Sequence, residues 1–562
     1  MKIKKLEILA LVLIILVQSL IFVPFVMNKT YLHIEEARAL GHASGDVAEI
    51  QDNENFYDTW HSGEYYNDYL TLDDGKGIDI VEVYKNQMGD TTPPLYFILL
   101  RCAMSIGGGE LSFWYGAIIN MIAYVFITVF LYLITRKLFV GEKHAQLKSV
   151  ALTFLASITL GTLSNAIYTG MFSLVTLAVL ILAYQHVKMY ENGKATAPVL
   201  VGIGIVSFIG LITSYYCLLF IFPMYVLFLM RYIRGKDKKS LLAYSFTLLG
   251  ATLAAIAVFP FAIYNMFFGN LGGEIVGTLG VQSALIRTLV DYVQKVNHFG
   301  FNNMLIVIAV LAVVCIVLKM RRPYVEKEEN DEVNHKKMIV KTLLIPALVY
   351  CLGVVAVSQW TELRYIVPVC SIIFVLTMYG IYKFVAEAFS KKVCAIILSL
   401  LVVAMVVYPV ISGSTPECTY EDKEEVLEEI KKDYNIPTVY LMNTDDDRFL
   451  DDIMLFMELD NSYIAKDFTF LDQKADFNAI LDGQDVSGGF LLVINNGQAN
   501  RHILEDVLTH TGFDGFKTLY VLNSGTVYYI GNGIEKEEIE DNYHDEMYES
   551  TMEEALSELI EE

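Results

Sequence analysis

About eleven stretches of this chain are apolar for long enough to cross a lipid bilayer: near 6–27, 112–135, 147–166, 171–187, 198–215, 217–232, 241–267, 303–319, 341–358, 364–386 and 393–412. A spanning helix needs roughly 20 such residues. In hydrocarbon the backbone must satisfy its own hydrogen bonds, so runs of this kind leave the helix as the local structure. The expected fold class is a polytopic α-helical membrane protein. Composition agrees: 54% of residues are hydrophobic and 19% charged, against roughly 45–50% and 25% in soluble domains. A soluble secreted enzyme and a disordered chain are excluded. The net charge of −23 argues against a nucleic-acid partner.

Basic residues set the expected orientation. Lys2, Lys4 and Lys5 precede the first span. Further clusters lie at Arg136 to Lys148, Lys188 to Lys194, Arg231 to Lys239, Lys319 to Lys341 and Lys383 to Lys392. They fall at every second loop, so all are expected in the cytoplasm together, with the N-terminus. The scheme requires that the apolar run 93–107 does not cross. It is read as a helix lying at, or dipping into, the outer face. The first segment has no small-residue cleavage site after it and reads as an uncleaved span.

Three parts are then expected outside: a loop of about 28–92, a loop near 268–302, and everything after about 413. The expected domains are 1–412, with an outer loop 28–111; an extracellular α/β domain at 413–533; and an acidic tail at 534–562. Strand-like runs at 437–443, 489–495, 518–523 and 526–530 alternate with helical patterns near 423–433, 448–459 and 500–510, which suggests the α/β domain. The seven cysteines show no CxxC or Cys/His spacing, so each reads as a small buried hydrophobe.

Chemistry is sought first in the long outer loop. Glu35 and Glu36 stand just outside the first span. A partly desolvated carboxylate there has a raised pKa and suits proton abstraction. An interfacial acidic pair facing water is the other reading. In Asp90-Thr91-Thr92-Pro93-Pro94-Leu95-Tyr96, two prolines break an incoming strand and start a helix. The N-terminus of that helix suits an anion, unless it is simply a capped surface helix. Tyr57, Trp60, Tyr65, Tyr66 and Tyr69 are read as interfacial anchors rather than sugar platforms. His33, His42 and His61 share the loop with many carboxylates, but no ligand spacing defines a metal site. Asp445-Asp446-Asp447 reads as an acidic turn before a helix rather than a calcium site.

These residues, with the architecture, resemble the GT-C membrane glycosyltransferases. The nearest group is the dolichyl-phosphate-mannose–protein mannosyltransferase-like proteins (RgtA/B/C/D-like, glycosyltransferase family 39-like). The resemblance covers roughly residues 1–412. Glu35-Glu36 stands where the family has Asp-Glu. Tyr84 to Tyr96 resembles its stretch ending in His-Pro-Pro-Leu-Tyr. Glu362-Leu363-Arg364-Tyr365-Ile366-Val367-Pro368 resembles its Asp-Arg-Tyr-hydrophobic-Pro segment. Gly210 to Tyr216 resembles a segment carrying Thr-His-Tyr-Tyr, with Ser214 in place of the His. Thr92 replaces the residue before Pro-Pro, and Glu35 the first Asp.

The resemblance implies a GT-C-like fold and a reaction. A polyprenyl-phosphate sugar donor in the outer leaflet would give its sugar to an acceptor hydroxyl of a glycan, lipid or protein, with inversion. Glu35 would be the general base, with Glu36 and Asp90 orienting base or acceptor. Arg364 would hold the lipid phosphate through its guanidinium fork. Tyr365, Pro93, Pro94, Tyr96 and Tyr215 would line the substrate site. No cofactor is assigned; a divalent cation is left open. Membrane lipid is a partner, nucleic acid is not, and the plasma membrane is the expected location. The rival readings are a non-catalytic envelope protein that binds glycan or lipid or aids assembly, and a transporter for a lipid-linked sugar.

Overall fold

The computed structural model describes residues 4–45, 56–72, 77–90, 92–267, 282–321, 331–358, 361–417, 427, 430, 436–442, 448–465, 477–495, 500–522 and 525–534. Asp445–Asp447, Cys418, the acidic run from Glu535 and most of the helical pattern at 423–433 lie outside the described residues.

A helix stands at each of the eleven apolar stretches. Eight are long and apolar enough to cross a membrane by themselves, and two bent pairs bring the number to ten. The eleventh, Ala197–Leu211, has 15 residues, which is short for a span. The expected eleven therefore becomes eight to ten among the described residues. Span surfaces carry exposed apolar side chains such as Leu20 at 73% and Leu400 at 64%, a pattern that suits lipid and not water. The run after Pro93-Pro94 forms the helix Leu95–Gly107 of 13 residues.

The breaks have local causes. Ala145–Ser157 and Leu160–Ile167 meet at 56°. Thr159 opens the second half, accepting from Thr162 N at 3.3 Å, so a hydroxyl satisfies an amide freed by the bend. Pro260 follows Lys238–Val258, and the stretch expected at 241–267 resumes as Phe261–Phe267. The loop expected near 268–302 is helical in its second half: Gln282–Lys295 continues through a π-helical turn, Val296–Gly300, and meets Leu305–Met320 at 92°.

Polar side chains fasten the spans where few apolar differences would. Gln18 donates to Ser157 O at 2.9 Å and accepts from Thr128 at 2.8 Å. Glu142, in the turn between Trp114–Leu138 and Ala145–Ser157, accepts from Lys148 at 2.7 Å and from Tyr382 OH at 2.6 Å, and pairs with Lys383. Burial opposes its ionisation, but these donors win and hold its carboxyl at about 2, below 4.5. A depressed carboxylate pKa stabilises the fold above the unfolded value and loses that contribution as pH falls toward the folded one. Glu142→Gln is therefore expected to lower stability by ~2 kcal/mol at neutral pH. The gap in unfolding temperature between the native chain and the variant, measured in detergent, should narrow as pH falls from 4.5 toward 2. A gap that is constant over that range contradicts the assignment.

The chain forms two compact units: Met1–Lys29 with Lys76–Thr419, and Thr30–Gly75 with Tyr420–Glu562. The first contains the spans. The loop expected at 28–111 is thus divided between the units. In the second, strands β1 (Trp60–His61), β2 (Thr438–Leu441), β3 (Ser462–Ala465), β4 (Phe490–Asn495), β5 (Gly515–Val521) and β6 (Gly525–Gly531) form one sheet in the order β1-β3-β2-β4-β6-β5. β2 runs parallel to β3 and β4; the other pairs are antiparallel. β4 is buried along its whole length, as a central strand covered on both faces must be. The edge strand β1 comes from the first loop, pairing Trp60 with Tyr463. The small α/β domain expected from the strand runs is present; β3 and β1 are too short to have shown a period.

Candidate functional site

In the membrane unit, three segments separated in sequence come together. Leu95 N, the first amide of its helix, donates to Ile212 O at 3.1 Å. This ties the Pro-Pro segment to the turn that carries Ser214, Tyr215 and Tyr216. Tyr216 in turn stacks on Tyr365, with ring centroids 5.2 Å apart and planes at 13°, and Phe172 packs edge-on to Tyr365 at 5.5 Å. The segments 84–96, 210–216 and 362–368 therefore form one neighbourhood.

Asp90 lies at its loop side, accepting from Thr92 Oγ1, while Asn265 donates to the Asp90 backbone carbonyl. Burial pushes the Tyr215 phenol above its ordinary value; the Asp90 carboxylate adds to this and Asn265 opposes it. Pro93, Pro94 and Tyr96 are buried. The free helix end expected after the prolines is not wholly free: its first amide holds Ile212 O, so part of the donor set expected for an anion fixes the adjacent turn.

Arg364 occupies the first turn of Leu363–Ala388. It is 8% exposed. A guanidinium at such burial requires partners. Its Cζ lies 5.1 Å from the Tyr168 ring and 5.4 Å from the Tyr365 ring; Glu362 approaches its Nη1 at 3.7 Å. Arg364, Ser164, Asn165, Tyr168, Leu363, Val367 and Glu417 line one small cavity of about 10 Å³. The Tyr168 ring also lies 5.9 Å from the buried Lys29 Nζ. Tyr124 OH accepts from Asn165 at 2.9 Å.

Sequence reasoning did not find Tyr168, Lys295 or Glu417. Glu417 donates its backbone amide to Ser164 Oγ at 2.9 Å, and its carboxylate meets Lys295 at 3.3 Å. Burial raises its pKa; Glu362 adds to this, while Lys295 and Arg364 pull it down. One signal in the sequence is an acidic residue a few positions after the last span. The polar run Thr159 to Tyr168 inside an apolar stretch was a second.

Glu35 and Glu36 belong to the second unit, in the first turn of the helix Ile34–Ser44. Their roles divide. Glu36 is fully buried, and its Oε2 accepts from His33 N at 3.1 Å, closing a capping box. Glu35 is half-exposed and pairs with Arg38 at 3.1 Å. His33 Nδ1 accepts from Glu35 N at 3.2 Å, and His61 is bonded to Phe56 O at 2.9 Å. Among the described residues no three of His, Cys, Asp and Glu gather as metal ligands do.

The loop aromatics correct an expectation. Tyr66 and Tyr69 are at most 1% exposed and so cannot anchor at headgroups. Tyr66 stacks on Phe456 at 5.4 Å, Trp60 tilts against Tyr463 at 5.5 Å, and Phe56 meets Phe449 at 5.2 Å. These rings are interior packing of the second unit.

The fold and these sites define a multi-pass helical membrane protein with a small α/β domain. The model of Glycosyltransferase family 87, a GT-C-fold family, matches residues 93–349, which contain the Pro-Pro segment and Gly210 to Tyr216. The family-39-like group is not among the findings. No curated protein matches the chain. Among solved structures, ArnT from Cupriavidus metallidurans bound to undecaprenyl phosphate is similar at 10% identity and TM-score 0.45, over 92% of this chain and 97% of that one. Archaeal oligosaccharyltransferase AglB from Archaeoglobus fulgidus, in complex with an inhibitory peptide and a dolichol-phosphate, is similar at 12% identity and TM-score 0.47, over 94% and 74%.

Proposed function

We propose that this protein transfers a sugar from a polyprenyl-phosphate donor to an acceptor hydroxyl, inverting the anomeric centre. The observation that carries the reading is Arg364: a buried guanidinium in the first turn of a long apolar helix, beside Tyr168, Tyr365 and Glu417. An arginine kept in such a place suits an anion. Both its planar fork and the positive end of its helix suit phosphate. The match to Glycosyltransferase family 87 supports the sugar-transfer class.

In this reading Glu35 takes the proton of the acceptor hydroxyl. The oxygen attacks C1, the C1–O bond to phosphate breaks, and the lipid phosphate leaves with the bonding pair, its charge held by Arg364. Glu36 fixes the turn that presents Glu35. Asp90, with Pro93, Pro94, Tyr96 and Tyr215, lines the acceptor side. The alternating basic loops support a cytoplasmic N-terminus, with the second unit outside a plasma membrane.

The test is a panel of radiolabelled polyprenyl-phosphate sugars offered to the purified chain in lipid nanodiscs. Release or transfer of label from at least one donor is expected. A panel left intact, with lipid phosphate still bound, would replace the transferase by a binding or assembly role.

A further inference from the structure

The helix that carries Glu35 and Glu36 holds only part of its own first turn. A helix begins with amides that lack intrahelical partners. Here His33 serves two of them, through its ring to Glu35 N at 3.2 Å and through its carbonyl to Glu36 N at 2.8 Å. The first amide, Ile34 N, is held from the far end of the chain: it donates to Asp451 Oδ1 at 3.0 Å. The adjacent Asp452 is fully buried and accepts from Tyr31 OH at 3.1 Å. Tyr31 and Leu32, the residues that lead into the helix, are themselves buried. At the other end Gly41 lies so near Tyr69 that a Cβ would stand 2.1 Å from Cζ, and Ser44 Oγ donates to Tyr69 O at 2.7 Å.

We infer that Asp451 and Asp452 are positioning residues for Glu35, so that the C-terminal part of the chain takes part in the reaction by fixing the turn that presents the base. A carboxylate on a helix N-terminal amide is a charge-assisted bond aligned with the helix dipole. Asp451 accepts such a bond from Ile34 N, and the neighbouring Asp452 accepts from the phenol of Tyr31 on the segment that leads in, so the pair fixes both the entry and the first turn of the helix. Losing one lets the turn tilt. A displacement of about 1 Å at a reacting group lowers a rate by about 10²-fold. In this contact Asp451 meets the backbone amide of Ile34, one residue before Glu35. The inference rests on the reading of Glu35 as base.

The experiment uses the full chain and two readouts. With a donor that the native chain consumes, Asp451→Ala is expected to lower kcat by about 10²-fold while the donor KM stays unchanged, and Asp451→Asn, which keeps an acceptor oxygen, to recover part of the loss. Added to Glu35→Gln, Asp451→Ala should lower kcat no further. A native kcat in Asp451→Ala, or losses that multiply in the double variant, overturns the inference. The second readout needs no substrate: amide hydrogen exchange at residues 34–37 should accelerate in Asp451→Ala while the strands of the sheet stay protected. Native protection there overturns the inference whatever the kinetics. A native kcat in Glu35→Gln with accelerated exchange in Asp451→Ala would sink the base assignment instead, leaving Asp451 as an anchor of this turn.

Discussion

Replacing Arg364 with alanine is expected to remove turnover of a polyprenyl-phosphate sugar, lowering kcat/KM by about 10³-fold. The side chain is 8% exposed, so the guanidinium acts where water screens little and a charge-assisted contact to phosphate is strong. Alanine also leaves Glu362 and Glu417 facing the site without that cation. Both carboxylates lie close enough to Arg364 to feel its charge: Glu362 stands at 3.7 Å, and Glu417 shares the cavity. The incoming phosphate would then meet these carboxylates without the guanidinium that offsets them. Arg364→Lys keeps the charge and loses the planar fork that lies beside the Tyr168 and Tyr365 rings, so it should fall between the two. Binding of lipid phosphate, measured separately, should weaken in the same order. Native binding and turnover in both variants would rule Arg364 out as the phosphate ligand.

Glu35→Gln is expected to lower kcat by about 10²–10⁴-fold, the usual contribution of a general base, with the donor KM little changed. The substitution keeps shape and removes one acceptor charge. Its stability effect should be small, because the pair with Arg38 is exposed at 33% and 40% and such pairs are weak. Glu36→Gln should behave differently: that carboxylate is buried on His33 N, so its loss weakens the cap and lowers stability by ~1 kcal/mol. Turnover that survives Glu35→Gln and collapses in Asp90→Asn would move the base to Asp90, which lies in the membrane unit near Tyr215.

Much of the membrane unit was readable in advance, because the requirement behind each span is local. An apolar run long enough to cross must hydrogen-bond to itself, so the run and the helix coincide. The ends moved by a few residues where Pro260 and the Thr159 cap intervene. What the runs did not reveal was bending. The Leu285–Gly300 and Leu305–Met320 pair turns by 92°, and the first half of that pair is too polar to read as a span. The loop aromatics were misread for a similar reason. Tyr and Trp are equally at home at a headgroup layer or against another ring, and only the packing of Phe449, Phe456 and Tyr463 on them decides which.

The site divides along the same line. Arg364 and the Pro-Pro segment stood out because an arginine beside a span and paired prolines are conspicuous in the chain itself. Glu417 and Lys295 did not, since a carboxylate after one span and a lysine at the end of a polar helix carry no mark of each other. Asp451 and Asp452 looked like ordinary members of an acidic stretch. By itself the sequence determined that this is a multi-pass helical membrane protein with a small α/β domain, since apolar length and strand alternation are properties of neighbours along the chain. The tertiary structure alone decided that Tyr168 and Glu417 surround Arg364, that the first loop supplies an edge strand, and that Asp451 caps the helix of Glu35. Those contacts join residues up to some 420 positions apart, and no local period encodes which distant amide a carboxylate will meet.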